Sequence, residues 1–173
     1  MHAVPRRADA PLDEEAAARF VARFREFWRA PATADYSLLR DDVMLVQPLA
    51  PVMHGLAEVR AMFAQVFAAL PDMCGEVDRW SARDGALFIE FRLRATLGGR
   101  PFEWPAVDRF RLDADGRAIE RVTWFDSLPL VVAMTTRPRA WPRLVRSGVL
   151  LSALRSLGAR GPRPEHYAGA QPR

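Results

Sequence analysis

Two kinds of hydrophobic pattern follow one another along the chain, and each predicts a different type of secondary structure. After Asp13, an acidic first turn leads into apolar residues spaced three or four positions apart, which predicts a helix that ends before Pro31. A second helix of this kind is predicted over 56–70 and is closed by Pro71. We also expect a short helix over 35–39. The apolar positions of the first helix are Ala17, Phe20, Val21, Phe24, Phe27 and Trp28.

Alternation with a period of two predicts five strands in the rest of the chain. One strand comes early and ends at Pro48, whereas the other four follow Pro71 with short turns between them, which predicts an antiparallel meander. Helices followed by a meander are typical of an α+β fold, in which helices laid on a curved sheet enclose a pocket. The predicted strands cover 43–47, 76–81, 87–97, 102–112 and 118–125.

Asp108 is the most informative residue because the alternation of its strand places it on an apolar face, with Trp104, Phe110 and Leu112. A buried charge is costly unless it is paired or its pKa is raised, and perturbed carboxylates are typical of acid/base sites. Two interpretations stay open. Asp108 is an acid/base group in a cavity, or it is a structural carboxylate that pairs with Arg121, in which case the pairing lowers its pKa.

The composition restricts the classes of function. The chain of 173 residues fits one domain, and no apolar run reaches the length of about 20 residues that spans a membrane. With no secretory signal and with Cys74 as its one cysteine, we expect a cytoplasmic protein. The absence of lysine excludes Schiff-base catalysis and a P-loop lysine, and the abundance of Arg, Ala and Pro indicates a GC-rich, bacterial genome.

Charge and histidine placement argue against nucleic-acid and metal binding. Residues 1–135 carry 17 Arg and 20 acidic residues, a net charge of −3, whereas residues 136–173 carry 8 Arg and one Glu, a net charge of +7. A mildly acidic body with a basic tail is not the profile of a nucleic-acid-binding domain. The three histidines are far apart and no Cys/His cluster has ligand spacing, so we expect no metal site. No motif for a nucleotide cofactor is present, and we expect no cofactor.

The chain divides into four parts. We expect a disordered leader over 1–12, a domain over 13–130, a linker with a basic amphipathic helix over 131–157, and a disordered tail over 158–173. The helix is predicted over 143–157. This helix could form a lid over the cavity, pack in a dimer or bind an anionic membrane. We favour packing on the body of the same chain, which is net acidic, and we do not favour membrane association.

Several short patterns occur in an order that resembles a known superfamily. They are Arg40-Asp41-Asp42-Val43, His54-Gly55, Pro71-Asp72, the Asp-x-Asp-Gly-Arg turn at 113–117, and Trp124-Phe125-Asp126. Over residues 13–130 the chain resembles the NTF2-like superfamily, and within it the SnoaL-like branch that also includes ketosteroid isomerase. The resemblance implies a cone-shaped fold with an apolar cavity, a small hydrophobic ligand, and a homodimer formed through the sheet.

The similarity to ketosteroid isomerase implies a residue-by-residue comparison with a mixed result. The oxyanion-hole aspartate of that enzyme corresponds to Asp108. In that family, an apolar site keeps this carboxylic acid neutral, so that it donates a hydrogen bond. Its general base lies directly before a proline, where this chain has Gln47 before Pro48. Its oxyanion tyrosine corresponds to Phe24. Because glutamine cannot shuttle a proton, we do not expect steroid isomerisation.

Two related branches give further expectations. Limonene-type epoxide hydrolases carry an aspartate on the last strand where this chain has Thr123, and their Arg-x-Asp pair is absent near 90–93, so that activity is disfavoured. SnoaL-like polyketide cyclases need only an apolar cavity and one inward carboxylate that acts on an acidic C–H. Asp108 meets that requirement.

We therefore expect a cofactor-independent enzyme that isomerises, cyclises or dehydrates a small hydrophobic carbonyl compound by proton transfer. Asp108 is the predicted acid/base, and Gln47 positions the substrate. A noncatalytic ligand-binding or dimerising module is the alternative, and the Gln47 and Phe24 replacements favour it. The other predicted substrate-binding residues are Phe24, Trp28, Trp104 and Phe125 as cavity walls, with His54 at the rim and Arg121 pointing inward.

Overall fold

The structure, a computed structural model, describes residues 13–158 and is built around one curved, six-stranded sheet. The strands lie in the order β2-β1-β6-β5-β4-β3. The pairing of β1 with β6 is parallel, and every other pairing is antiparallel. The strands are β1 (Leu39–Val46), β2 (Met53–His54), β3 (Cys74–Arg83), β4 (Ala86–Leu97), β5 (Arg100–Leu112) and β6 (Ala118–Trp124). The predicted α+β class and the meander of the last four strands are confirmed.

Two long helices pack against this sheet. Helix α1 (Glu14–Arg29) begins at Asp13, whose carboxylate accepts a hydrogen bond from the Glu15 backbone N–H and so satisfies one of the unpaired donors of the first turn. Helix α2 (Leu56–Ala69) begins after Gly55, which has a φ of 87° that favours glycine. Both helices bury the aromatic faces that their periodicity predicts, and rings of the two helices are in contact in the core.

The short helix expected over 35–39 is not formed. The Asp35 side chain instead accepts a hydrogen bond of 2.7 Å from the Ser37 backbone N–H, and the Leu39 N–H donates to the Tyr36 carbonyl. An aspartate that binds the backbone two residues further on favours a turn over a helix. As a consequence, β1 begins at Leu39, four residues earlier than predicted.

The segment after the sheet is more helical than its sequence indicated. It forms α3 (Leu128–Thr136), a 3₁₀ turn (Pro138–Ala140), α4 (Trp141–Ser147) and α5 (Val149–Gly158). The single helix predicted over 143–157 is divided at Gly148, which has a φ of 79° and ends α4 in the left-handed conformation. Pro142 belongs to the first turn of α4, where its missing N–H is tolerated. None of the described helices is long and apolar enough to cross a membrane.

The two faces of the sheet differ in chemistry. One face is apolar and, together with the helices, forms the core. The other face carries arginines of β3 and β4 that are paired with carboxylates on neighbouring strands, as in Arg79–Glu90, Arg92–Asp78 and Arg94–Glu103. The leader expected over 1–12 and the part of the expected tail over 159–173 lie outside the described residues.

Candidate functional site

A cavity of about 120 Å³ lies between the sheet, α1, α2 and the C-terminal helices. Its walls are mainly apolar, which suits a small hydrophobic ligand. The sheet and the two long helices contribute one part of the wall, and α3, α4 and α5 contribute the rest. The apolar lining residues include Trp28, Met62, Phe63, Val66, Leu93, Trp104 and Phe125 from the first group, and Leu130, Met134, Leu144 and Val149 from the second.

Five polar side chains line this cavity, and two of them satisfy each other. The Ser152 hydroxyl of α5 donates a hydrogen bond of 2.8 Å to Oε1 of Gln65 on α2, which ties α5 to the body. The remaining three, Gln47, Arg121 and Thr123, come from the β1–β6 region of the sheet. The parallel pairing of these strands therefore brings the polar groups together at one end of an apolar space.

Asp108 is fully buried, as its strand parity predicts, but it does not line the cavity. Its carboxylate lies behind two residues of β6. Nε of Arg121 donates to Oδ2 at 2.8 Å, and the Thr123 hydroxyl donates to Oδ1 at 2.6 Å. Burial raises the pKa of Asp108, and the Arg121 charge and the two hydrogen bonds offset that rise only in part. The carboxylate is therefore a stronger base than an exposed aspartate.

Arg121 is held as the cationic partner of Asp108 and as part of the cavity wall. Its side chain is 7% exposed, and its guanidinium carbon lies 5.9 Å from the ring centre of Trp28 and 5.8 Å from that of Phe63. Within residues 13–158, its hydrogen bond is the one made by Nε. The terminal amino groups are therefore available to an acceptor in the cavity.

The indole of Trp28 adds a second donor. Trp28 is 1% exposed and lines the cavity, yet its Nε1–H has no hydrogen-bond partner among the described residues. A buried donor without a partner costs free energy, so a buried tryptophan N–H normally has one. Gln47 is also weakly bound, because its amide nitrogen contacts only the sulfur of Met62, at 3.6 Å. Gln47 and Arg121 thus leave donors at the polar end of the cavity without strong acceptors, and the Trp28 N–H is a further donor without a partner, buried in a residue of the wall.

The structure brings most of the predicted site residues together. Gln47, Trp28, Trp104, Phe125 and Arg121 all line the cavity.

Phe24 and His54 do not line it. Phe24 is buried beside it against Phe91, with ring centres 5.2 Å apart, and His54 is exposed on β2, where its backbone N–H donates to the Glu58 carboxylate. His54 therefore anchors the start of α2 and does not reach the cavity.

The C-terminal segment packs on the body, as the favoured interpretation of its apolar stripe expected, and Leu144, Val149 and Ser152 line the cavity. Sequence reasoning gave Thr123 no role of its own. Thr123 shares the inward parity of Arg121 on β6, and that parity was the available signal. Among the described residues, no group of three or more His, Cys, Asp or Glu side chains is placed to hold a metal ion.

Comparison with known protein families identifies the family of this chain. The profile of the SnoaL-like domain matches residues 18–121, which is more than half of the sequence. The chain belongs to the SnoaL-like family. Comparison with curated proteins finds no match to this SnoaL-like protein.

Solved structures share the fold of this SnoaL-like protein at low sequence identity. A candidate SnoaL-like polyketide cyclase from Jannaschia sp. CCS1 has a TM-score of 0.61 at 18% identity, covering 72% of this chain and 95% of its own. An NTF2-like protein of unknown function from Burkholderia pseudomallei has a TM-score of 0.62 at 22% identity, with coverages of 69% and 98%. IdmH, a candidate polyketide cyclase from Streptomyces antibioticus, has a TM-score of 0.59 at 18% identity, with coverages of 69% and 98%.

Proposed function

We propose that this SnoaL-like protein binds a small, mainly apolar molecule through a carbonyl oxygen and catalyses cofactor-free proton transfer at the adjacent carbon. The observation that carries the proposal is the presence of two donors without an acceptor in residues that line an apolar cavity: the terminal amino groups of Arg121 and the buried indole N–H of Trp28. A carbonyl oxygen is an acceptor that both donors can share. The cyclase assignments of IdmH and of the Jannaschia protein agree with a ligand of this chemistry.

Arg121 is the proposed stabiliser of the charge that develops during the reaction. Removal of a proton beside a carbonyl converts its oxygen into an enolate oxygen, which carries negative charge. Because Asp108 and the Trp28 and Phe63 rings hold the guanidinium in place, little reorganisation is needed when that charge appears. Trp28 donates to the same oxygen and discriminates it from an apolar group.

Asp108 is the proposed proton acceptor, and Thr123 connects it to the cavity. Thr123 lines the cavity, and its hydroxyl hydrogen is directed at Asp108. The substrate C–H bond breaks, its electron pair forms the enolate, and the proton passes to the Thr123 oxygen as the Thr123 hydrogen passes to Asp108. Return of the proton at another carbon completes an isomerisation. In a cyclisation, the enolate carbon attacks a second carbonyl, and the proton held by Asp108 returns through Thr123 to the alkoxide oxygen that forms.

Gln47 positions the substrate in this scheme. Its amide has only a weak partner in Met62, so it can exchange that contact for a hydrogen bond to a ligand oxygen. It occupies the place of the general base in ketosteroid isomerase, and it cannot act as one. We therefore place the proton acceptor at Asp108 on β5, behind Arg121 and Thr123.

A noncatalytic binding module is the second candidate, and one observation favours it. Asp108 has both oxygens engaged and no direct access to the cavity. If Thr123 does not relay a proton, the pair of Asp108 and Arg121 serves only to hold a cationic donor in an apolar space. The cavity then binds a carbonyl compound or carboxylate without changing it.

Two probes separate these candidates. Benzoylacetone forms an enolate with its own absorption band, so the band reports both binding and the pKa of the bound diketone, which Arg121 is expected to lower. The rate of deuterium uptake beside the carbonyl of 2-tetralone, followed by NMR, reports proton transfer. Trp28→Phe should weaken benzoylacetone binding, because the ring stays while the donor is removed. Thr123→Val should strongly reduce catalysed deuterium uptake and leave binding in place.

The outcomes differ clearly. Binding without catalysed deuterium uptake by the wild type supports the binding module. Absence of benzoylacetone binding, or equal binding by the wild type and Trp28→Phe, overturns the proposed use of the cavity. Replacement of the half-buried residue Trp80 by Phe is a matched control, since it makes the same chemical change outside the cavity lining.

A further inference from the structure

The three C-terminal helices expose an unusual amount of apolar surface. Five large hydrophobic side chains on α3, α4 and α5 are between 47% and 66% exposed, and they form what we call the C-terminal apolar surface. Along α3 and α4 they recur at i and i+4, which places them on one side of each helix. In the rest of the described chain, only Phe88 and Val107 are comparable, and both are less exposed. The surface consists of Leu128, Val132, Trp141, Val145 and Leu151.

The same helices carry positive charge that nothing in the described part of the chain neutralises. Residues 127–158 contain five arginines and no acidic residue. Arg139, Arg143, Arg146 and Arg155 are exposed, and none of them forms an ion pair within residues 13–158. Arg143 alone acts on a carboxylate at longer range, where it helps to lower the pKa of Asp72.

Arginines without an ion pair are concentrated on these helices, and elsewhere in the described chain they occur singly, as at Arg25 and Arg60. On the outer face of the sheet, arginines and carboxylates alternate on neighbouring strands and pair with each other. The helices have the opposite arrangement, in which unpaired arginines accompany exposed leucine, valine and tryptophan. A surface that combines both is suited to a partner that is anionic at its boundary and apolar beneath it.

We propose that the C-terminal apolar surface docks this protein on an anionic lipid membrane. Exposed arginines are attracted to anionic headgroups, and apolar side chains beside them enter the boundary of the acyl chains. Trp141 fits this setting because tryptophan is enriched at membrane interfaces. A second copy of the chain is a poorer partner, since a twofold contact through this surface would bring the unpaired arginines of both copies together.

The folded body presents this surface instead of hiding it. Leu144 and Val149 point into the cavity wall, and the hydrogen bond from Ser152 to Gln65 fixes α5 on α2. With the inner side of the helices held in this way, Trp141 and Val145 lie on the outer side. Binding therefore needs no unfolding of the helices, and the protein lies on the membrane without crossing it.

Vesicle flotation with the full chain tests the proposal. We expect the wild type to float with phosphatidylcholine vesicles that contain about one quarter phosphatidylglycerol at about 50 mM salt, and to bind weakly at about 500 mM salt, where charges are screened. Replacement of Arg139, Arg143, Arg146 and Arg155 by Gln should weaken binding by about 100-fold or more. Trp141→Ser with Val145→Ser should weaken it by about tenfold or more, because apolar insertion is lost.

A matched variant separates this surface from the net charge of the protein. Replacement of Arg19, Arg25, Arg29 and Arg83 by Gln removes the same charge from other exposed positions, and we expect it to float like the wild type. Melting temperatures of all variants establish that they are folded.

Three results overturn the proposal. The first is no flotation of the wild type with the anionic vesicles at the lower salt concentration. The second is equal weakening by the two sets of arginine replacements, which would show an effect of net charge. The third is a dimer in solution, measured by light scattering, that Trp141→Ser with Val145→Ser dissociates, which would make the surface a protein interface.

Discussion

Thr123 and Asp108 face each other directly across the antiparallel pair of β6 and β5, and the Thr123 hydroxyl lies 2.6 Å from a carboxylate oxygen of Asp108. One residue lines the cavity and the other does not. The pair therefore spans the boundary between the ligand space and the core. Any chemistry that uses Asp108 has to pass through Thr123 or through the neighbouring Arg121.

Thr123→Val removes that connection at nearly constant volume. Because one oxygen of the buried Asp108 then lacks its donor, we expect a loss of about 1–3 kcal/mol in the free energy of unfolding. Catalysed deuterium uptake by 2-tetralone should fall by about 10²–10⁴-fold. Thr123→Ser keeps the hydroxyl and should keep the uptake. Urea titrations and NMR give the two measurements, and equal uptake by the Val and Ser variants would rule out the relay.

The ion pair of Asp108 and Arg121 should be strongly coupled. Asp108→Asn or Arg121→Met alone leaves one buried charge without its partner, and we expect each to cost about 3–5 kcal/mol. The double variant should cost clearly less than the sum, as a double-mutant cycle in urea will show. The exposed pair Arg79 and Glu90 is the control, for which removal of either member costs at most about 1 kcal/mol. Additive effects at the buried pair would contradict the expectation.

The raised pKa of Asp108 predicts a pH dependence with a definite sign. The unfolded chain ionises Asp108 at the ordinary value of about 3.9, whereas the folded protein keeps the proton to a higher pH. The contribution of Asp108 to the free energy of unfolding is therefore complete below a pH of that ordinary value. It is lost as the pH rises through the pKa of Asp108 in the folded protein. We expect the free energy of unfolding of the wild type, relative to Asp108→Asn, to decline over this range in urea titrations. A difference that increases with pH would show a lowered pKa.

Gln47 should prevent steroid isomerisation. With no general base in that position and no hydroxyl at Phe24, we expect negligible conversion of a 5-ene-3-ketosteroid, followed by the absorbance of the conjugated product. Gln47→Asp should introduce at most a trace of activity, because one acid/base group contributes about 10²–10⁴-fold and the oxyanion hydroxyl is still missing. Robust conversion by the wild type would show that the residue correspondence is wrong.

Truncation after Met134 should destabilise the protein. It removes α4 and α5, and with them Leu144 and Val149, which cover apolar surface of the cavity. Exposing a few hundred Å² of apolar area costs several kcal/mol at about 25 cal/mol per Å², and a typical domain has only about 5–15 kcal/mol in total. We expect a clearly lower melting temperature or aggregation in lipid-free buffer. Truncation after Gly158, which keeps both helices, is the control, and an unchanged melting temperature after Met134 would contradict the expected packing.

The fold was predictable where one face of an element is buried throughout. The apolar periodicity of α1 and the alternation of β4 and β5 both continue for more than ten residues, so burial imposes a clear pattern on the sequence. The turn at Asp35 was not predicted because a single side-chain hydrogen bond decides it. The break at Gly148 was missed for a similar reason, since the apolar stripe continues across it while the backbone changes direction.

The composition of the site was predictable only in part. Strand parity identifies which residues point inward, and it places Asp108, Arg121 and Thr123 on the inner side of the sheet. Parity does not say how far an inward side chain lies from a cavity, which depends on the neighbours packed in front of it. For that reason Asp108 was expected in the cavity, whereas the structure places Arg121 and Thr123 between the two.

The division of the cavity wall has a consequence for how ligand preference is inherited. The SnoaL-like profile ends at residue 121, yet Leu130, Leu144 and Val149, from beyond that point, form part of the wall. The polar end of the cavity and the part of its wall formed by α3, α4 and α5 are thus encoded in separate stretches of the gene. A recombination that exchanges only the stretch for α3, α4 and α5 would alter which molecules fit while leaving the arginine and its carboxylate untouched.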